Sequence, residues 1–328
     1  MKIGITYDLR SEYLAMGYSE EETAEFDRES TVEAIEKTLQ ELGYETERIG
    51  HLRQLMASLH NGRRWDLVFN ICEGMYGIAR EAQVPALLDA FRIPYVFSSP
   101  LVMALTLDKA MTKRVVRDAG ISTPDFYVVN HASDIDKVKM DYPLFVKPLG
   151  EGTGKGITEN SVIRNAEELH KQCNYLLATY HQPVLVETFL SGREFTSGIV
   201  GTGKDAFAIG TIEIKLLAGA EKNVYSYVNK EECETLVEYV PVWGKEKAAC
   251  EALALEAYRA LGCEDAGRVD IRYDADGKPG FIEINPLPGM HPEHSDLPIL
   301  ANKNGIAYFE LMKMIMDSAL SKINYHPQ

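Results

Sequence analysis

Long apolar runs are missing from this chain. No stretch approaches the roughly 18 consecutive apolar residues a membrane-spanning helix needs, and the opening Met-Lys-Ile-Gly-Ile-Thr-Tyr reads as a strand rather than a signal peptide. Positive charge is scarce as well. Against 49 Asp and Glu stand 34 Lys and Arg, a net charge of −15, which argues against an unassisted surface for nucleic acid or an anionic membrane. Any anionic substrate must therefore meet a local cationic site or a metal. Cysteine is sparse and unpatterned: five residues, at 72, 173, 233, 250 and 263, show no C-x-x-C spacing and cannot all pair. A reducing compartment, the cytoplasm, is the expectation. Internal repeats and low-complexity tracts are absent. Two nucleotide motifs are also missing where they would have to be. The first strand runs into Asp8-Leu-Arg-Ser with no G-x-G-x-x-G, which demotes a dinucleotide enzyme. The glycine stretch near residue 150 is not a Walker A, because Leu149 stands at its first glycine and Gly156 follows Lys155.

What is present is an ordinary globular composition, 45% hydrophobic and 25% charged over 328 residues, enough for roughly two or three domains with cores of their own. Strands at Lys2 to Tyr7, Tyr44 to Ile49 and Asp66 to Ile71 alternate with helices, including Ser30 to Leu42 ended by Gly43. That order predicts a parallel, helix-covered sheet of Rossmann-like kind. Pro94 to Pro100 reads as its last strand and the crossing into a second unit, whose first helix begins near Leu101 and carries Asp108-Lys109 and Lys113-Arg114. Asp125 to Val129, Tyr142 to Pro148, and the strand-turn-strand Val184 to Phe195 follow. Ile212 to Val240 is polar and tyrosine-rich and reads as a long loop of the lid kind. A helix from Lys245 to Leu261 ended by Gly262, a hairpin, and a closing helix Ala307 to Ser321 complete the pattern.

The hairpin, Arg268 to Asn285, carries the sharpest chemical expectation. Two alternating runs flank Asp-Ala-Asp-Gly-Lys-Pro-Gly. With the turn centred on Asp276-Gly277, period two sets Asp270 opposite Glu283 and Arg268 opposite Asn285. Facing carboxylates repel across a strand pair, so a cation is expected between them. Oxygen ligands of this kind suit Mg²⁺ completed by water and phosphates; a solvated edge hairpin is the plain alternative. Lys147, emerging from the apolar Tyr-Pro-Leu-Phe-Val-Lys147-Pro, needs an anion unless it reaches the surface. Directly after it, Gly150-Glu-Gly-Thr-Gly-Lys-Gly156 can bring backbone N–H groups to phosphates or be a simple turn. Asn70-Ile-Cys-Glu73-Gly74, at a strand's carboxyl end, is either a ligand contact or a helix-initiating turn. His291, Glu293 and His294 suggest zinc only faintly, lacking further ligands, and lining of a substrate pocket is the preferred reading.

Taken in order, Asp108-Lys109, Phe-Val-Lys147-Pro, the glycine loop, Val-Glu187-x-Phe-Leu-Ser-Gly-Arg-Glu194-Phe, Gly-Arg268-Val-Asp270, Ile-Glu283-Ile-Asn285 and Pro-Gly289-Met290 resemble the D-alanine-D-alanine ligases of the ATP-grasp superfamily, over about residues 66 to 316. The resemblance implies an ATP-grasp fold, α/β then α+β: an amino-terminal domain at 1-98, a central lobe at 99-190 and a carboxyl-terminal lobe at 191-328. It implies ATP as cofactor, with two Mg²⁺ ions, or Mn²⁺ in their place, on Asp270, Glu283 and Asn285. Nucleotide contacts fall on Lys109, Lys147, Glu187, Glu194 and the loop Glu151, Gly152, Thr153, Gly154. Lys230 matches a loop lysine that reaches the γ-phosphate. Arg268 matches the arginine beside the reacting carboxylate, and Ser295 the serine that holds the second substrate's carboxylate. The implied activity is carboxylate-amine ligation through an acyl phosphate, releasing ADP and phosphate and serving peptidoglycan synthesis. The implied partners are small amino-acid or peptide substrates and a second copy of the chain, a homodimer; no nucleic acid or membrane is expected.

Departures from that pattern cluster on the amino-acid pockets. The usual Gly-Gly-x-Ser opening is replaced by Tyr7-Asp8-Leu-Arg10, and a segment with Glu20, Glu21 and Glu22 is inserted. The family's ammonium-binding glutamate has only Glu25, Asp27 and Glu29 as substitutes. Thr153 stands for the loop serine, Glu73 for a histidine, and Glu231 for the tyrosine after the loop lysine. Substrates other than two D-alanines are therefore an open alternative.

Overall fold

The structure is a computed structural model that describes residues 1–220, 229 and 233–325. Among these residues the strands form three sheets. The first is parallel, in the order β2-β1-β3, with β1 at Lys2–Tyr7, β2 at Glu45–Gly50 and β3 at Leu67–Ile71. Alternation along β1 sends Ile3 and Ile5 to one face, where they meet Ile35 and Leu39 of the helix Glu29–Glu41. On the other face Val68 packs with Leu55 and Leu88 of the helices Leu52–His60 and Gln83–Ala90. The sheet is thus covered on both sides, as parallel strands require.

The second sheet is antiparallel, β4-β7-β5-β6, built from Phe126–Val129, Leu144–Pro148, Val162–Ile163 and Val184–Thr188, numbered β4 to β7 in chain order. The helix Ala166–Tyr180 closes one face through Leu169, Cys173 and Leu176. The third sheet has the order β10-β9-β8-β11-β12, with β8 at Glu194–Val200, β9 at Phe207–Leu216, β10 at Val237–Pro241, β11 at Ala266–Tyr273 and β12 at Pro279–Asn285. The helix Gly244–Leu261 buries Leu253, Ala257 and Tyr258 against Phe195, Val269 and Phe281, and Gly262 caps it in the left-handed region at φ 73°.

Three expectations are corrected. Pro94 to Pro100 does not make a strand: Tyr95 bridges Val68, but Phe97 turns left-handed at φ 77° and gives its N–H to the Asp265 carboxylate instead of a sheet partner. The helix begun near Leu101 is two helices, Pro100–Leu107 and Lys109–Asp118; Asp108 is extended between them and accepts the Met111 N–H, so it restarts the helix as a cap. Ile212 to Val240 is not loop at its ends, where β9 and β10 pair from Ile212↔Pro241 to Leu216↔Val237; residues 221–228 and 230–232 between them lie outside the described residues. Weak alternation there is overridden by partners on either side.

One apolar core joins the first sheet to the carboxyl-terminal helices. Ile3, Phe69, Phe97 and Met103 share a cluster with Leu300, Leu311, Ile315 and Met316. At its edge lies Asp265, fully buried and left-handed at φ 65°. It accepts from Phe97 N at 2.8 Å, Ser318 Oγ at 2.9 Å and Thr202 Oγ1 at 3.3 Å, and pairs with Lys322 at 2.7 Å. Removing the carboxylate takes the acceptor from the buried Phe97 N–H and one counter-charge from Lys322, which keeps only Glu264 and Phe97 O. Asp265→Ala is expected to lower unfolding free energy by about 3–5 kcal/mol, read from urea unfolding at constant pH; a loss under about 1 kcal/mol would show that the cluster does not tie these elements together.

Candidate functional site

The hairpin has the register its sequence predicts. β11 and β12 set Asp270 against Glu283 and Arg268 against Asn285, with a bulge just after Asp270. Their polar face opens on the cleft between the second and third sheets. Asp270 accepts from Thr196 Oγ1 at 2.7 Å and meets Arg268 at 3.2 Å. Glu283 lies 3.8 Å from Lys109 and 3.7 Å from Lys147. Cations from three different elements therefore converge on the two carboxylates and offset their repulsion. Arg268 is shared further with Asp296, to which it is ion-paired.

Two carboxylates and one amide fit a divalent cation of the Mg²⁺ type. Among the described residues no three His, Cys, Asp or Glu side chains form a closed cage, and Mg²⁺ ordinarily takes only one or two carboxylates, with phosphates and water completing its shell. The Asn285 amide nitrogen is buried without a hydrogen-bond partner, and a cation would be held through the carbonyl oxygen of this amide. His291 does not fit a zinc site: its Nδ1 accepts from Glu293 N and His294 N, and its Nε2 meets Ser30 Oγ at 3.2 Å. Both histidines line a cavity, as expected of pocket residues.

Between the sheets lies a slot of about 70 Å³, apolar at one end and charged at the other. Phe145 and Phe189 stack with centroids 6.3 Å apart, and the Arg272 guanidinium sits 5.0 Å from the Phe189 ring. Lys147, 2% exposed, stands at the charged end. Burial opposes its charge, but Glu187 and Glu283 outweigh it and hold the lysine above its ordinary pKa. Glu187 is equally buried and pairs with Lys147 at 3.1 Å and Lys113 at 2.6 Å. Glu194 meets Arg272 at 3.3 Å at the mouth.

The glycine loop closes one side. Thr153, Gly154 and Gly156 are all left-handed, at φ 51°, 73° and 72°, and a Cβ on Gly156 would come within 2.6 Å of Pro148. Of the three candidate acids before the second helix, only Glu25 reaches this loop. It accepts the Gly152 N–H at 2.7 Å, pairs with Arg80 at 2.8 Å and with Lys155 at 3.4 Å, while Arg80 donates to Gly150 O. Asp27 faces the neighbouring cavity, and Glu29 is paired with Arg48. Lys109 donates to Glu151 O at 2.5 Å, joining the loop to the hairpin.

That neighbouring cavity, about 220 Å³, is bordered by Asp27, Glu73, Glu81, Lys109, Arg268 and Ser295 among others. Ser295 Oγ accepts the His291 N–H at 3.0 Å and lies where any Cβ on Gly289 would approach within 2.7 Å, so the Pro-Gly turn is required by packing. Burial, with Glu81 and Glu25 adding to it, pushes Glu73 well above the carboxylate range. Burial brings Glu81 to about 7, opposed by Arg80, and brings Asp27, beside Asp8, to about 8. Lys230 and Glu231 lie outside the described residues. Arg80, Lys113 and Arg272 were not singled out by sequence; for Lys113 a signal existed, since it follows Lys109 by one helical turn and shares its face.

Comparison with known proteins places these features in context. A family model described as "D-ala D-ala ligase C-terminus" matches residues 115–317. The chain is 35% identical over 264 residues to the D-alanine-D-alanine ligase of Bordetella petrii, covering 79% of this chain and 78% of that one. A crystal structure of D-alanine-D-alanine ligase from Bacillus anthracis complexed with ATP superposes with a TM-score of 0.74 at 25% identity, covering 99% of both chains. The VanG D-Ala:D-Ser ligase of Enterococcus faecalis shares the fold, with a TM-score of 0.73 at 21% identity, covering 97% of this chain and 99% of that one.

The raised carboxyls have a stability consequence with a definite sign. Between the unfolded carboxylate pKa near 4 and the folded values of about 7 and 8, the folded state binds more protons, so stability falls as pH rises. A Glu81→Gln, Asp27→Asn double variant is expected to flatten the decline between pH 5 and pH 7, where each group contributes up to about 1.4 kcal/mol per pH unit. Urea unfolding across that range checks it; parallel pH profiles for variant and parent would contradict the assignment.

Proposed function

The chain belongs to the D-alanine-D-alanine ligase family, ATP-dependent and ADP-forming enzymes of the ATP-grasp fold, and on that premise we propose that it joins two small amino acids, D-alanine first among them, through an acyl phosphate. The observation that carries the reading is the convergence of Lys109, Lys147 and Arg268 on the Asp270-Glu283 pair, at the junction of the slot and the larger cavity.

The slot takes the nucleotide. Its base lies against the Phe145 and Phe189 rings with Glu187 at its edge, Glu194 takes the ribose, and Lys109, Lys147 and the backbone of Glu151 to Gly154 take the phosphates. Asp270, Glu283 and Asn285 hold two Mg²⁺ ions, with Mn²⁺ able to replace them. When bound, these ions neutralise phosphate charge as it builds on the transferring group.

The first amino acid sits in the larger cavity with its ammonium toward Glu25 and its carboxylate beside Arg268. One carboxylate oxygen attacks the γ-phosphorus, the bond to the β-phosphate oxygen breaks, and ADP leaves. Lys230, by its sequence match, steadies the γ-phosphate. The second amino acid, its carboxylate at Ser295 and its amine unprotonated, attacks the acyl carbon, and phosphate departs with the bonding pair. Catalysis by this chain is positioning and charge compensation, without a covalent enzyme intermediate.

A second reading, ligation of another amino acid or a small peptide, is favoured by Glu73, Glu81 and Asp27, which make the cavity more acidic than a methyl side chain calls for. Buried free cysteines at 72, 173, 250 and 263 support a reducing cytoplasm, and no helix among the described residues is long and apolar enough to cross a membrane. We take the working form to be a homodimer.

Incubation with ATP, Mg²⁺ and D-alanine is expected to yield ADP, phosphate and D-alanyl-D-alanine in equal amounts; ADP formed only with another amino acid would establish the second reading. Outer partners of metal ligands cost about 10–100-fold when lost, so Asp270→Asn, which alters a ligand itself, should cost at least about 100-fold in turnover. Near-parental activity of that variant at low Mg²⁺ would remove the hairpin from the site.

A further inference from the structure

Lys113 has no part in the scheme above, yet it is the most completely enclosed cation among the described residues, at 0% exposure. It projects from the helix Lys109–Asp118 toward the back of Glu187, on β7. Its ammonium lies 2.6 Å from Glu187 Oε1, donates to Thr123 Oγ1 at 2.9 Å and to Phe281 O at 3.4 Å, and sits 5.8 Å from the Phe281 ring. Thr123 Oγ1 is itself tied to Phe281 O at 2.8 Å. Glu187 and Lys147 border the slot, whereas Lys113 does not. A buried lysine held by three groups in this way cannot reach the nucleotide, so whatever it does passes through Glu187.

Glu187 is divided between two lysines. Its Oε2 meets Lys147 at 3.1 Å, and Lys147 is also 3.7 Å from Glu283 at the phosphate end. Lys147 therefore cannot turn to phosphate and remain the sole counter-charge of Glu187. Oε1 is held by the Lys113 ammonium at 2.6 Å, which fills only one of the lone-pair sites of this carboxylate. An ionised carboxylate accepts and does not donate, so a carboxylate fixed at the edge of the slot welcomes an exocyclic amine and rejects a carbonyl in the same place.

We propose that Lys113 is a positioning residue for the nucleobase: by pinning Glu187 from behind, it keeps that carboxylate ionised and aimed into the slot, and so sets the preference for a 6-amino purine over a 6-oxo purine. The inference rests on the reading of the slot as the nucleotide site. Two lysines around one enclosed carboxylate divide the work, with Lys113 fixing the base reader and Lys147 free for phosphate. Burial alone would favour the neutral acid; Lys113 and then Lys147 outweigh it and hold Glu187 below its ordinary pKa.

The test compares ATP with inosine triphosphate, which differs at the purine 6-position, in steady-state assays with saturating Mg²⁺ and amino acid. Lys113→Met is expected to raise KM for ATP about 10-fold while kcat stays within about 3-fold, and to reduce the ATP preference in kcat/KM at least about 10-fold. Lys113→Arg, which keeps the charge, is expected to recover most of that preference. Equal changes for both nucleotides would show a merely structural lysine and overturn the proposal. Should the Met variant fail to fold by thermal melting, Lys113→Gln removes the charge while keeping a polar tether, and its two outcomes carry the same meaning. Glu187→Gln separates the proposal from its premise. A changed nucleotide preference there, with none on replacing Lys113, sinks the role of Lys113 alone; an unchanged preference in Glu187→Gln sinks the base-reading slot itself and the proposal with it.

Discussion

Two carboxylates held opposite each other on neighbouring strands are a standing electrostatic cost, and the cleft is organised around meeting it. Asp270 and Glu283 cannot move apart, because their spacing is the spacing of β11 and β12. The charges that compensate them come from distant parts of the chain: Lys109 from the first residue of a helix, Lys147 from the last turn of β5, Arg268 from β11 itself. Each brings an element with it. The break at Asp108 sets Lys109 at a helix start, and the pairing of β5 with β7 fixes Lys147 across the slot. An acidic protein thus gathers a small group of cations in one cleft, around the carboxylate pair.

How far this was legible depended on whether the determining contacts were local. The hairpin register could be read pair by pair, since alternation and an Asp-Gly turn with Gly277 at φ 76° leave little freedom. The bulge after Asp270 could not: it leaves Ile282 as an extra residue on β12, so from Ile271↔Phe281 onward the pairing is shifted by one, while β11 stays in regular register with β8. Among Glu25, Asp27 and Glu29 the sequence offered no choice: the segment lacks periodicity, and the selection is made by Arg80 and the loop at Gly152, which are 55 and 127 residues away from Glu25. Asp108 could be recognised as part of a matching motif, but its cap geometry needed the structure. Lys113 was overlooked for the opposite reason. Its place one helical turn after Lys109 puts it on the same face, but only its packing against Phe281 and Glu187 marks it as interior.

The two halves of the site are built by different physics. Around the slot, acids and bases are matched nearly one to one, and Lys113 and Lys147 hold Glu187 below its ordinary pKa. Around the larger cavity, acids outnumber nearby bases, and burial leaves Glu73, Glu81 and Asp27 holding protons more tightly than free carboxyls do. The slot is therefore pre-set, whereas the larger cavity carries a reserve of protonatable groups whose state depends on what enters. The departures from the family pattern at Glu73 and in the first segment fall in this second half.

The Asp265 cluster also bears on how the chain is assembled. Its carboxylate receives the N–H of Phe97, 168 residues earlier, and its lysine comes from the helix Tyr308–Tyr325, which also supplies the apolar cover for β1 and β3. During vectorial synthesis the first sheet leaves the ribosome without that cover and without the acceptor for Phe97. Its strands and flanking helices can form early, but the apolar cluster around Ile3, Ile5 and Phe69 is only partly covered by Ile35 and Leu39 until Leu311, Ile315 and Met316 arrive. The first sheet therefore completes its packing only once the helix Tyr308–Tyr325 is in place, and the interval before that is when a chaperone has most to bind.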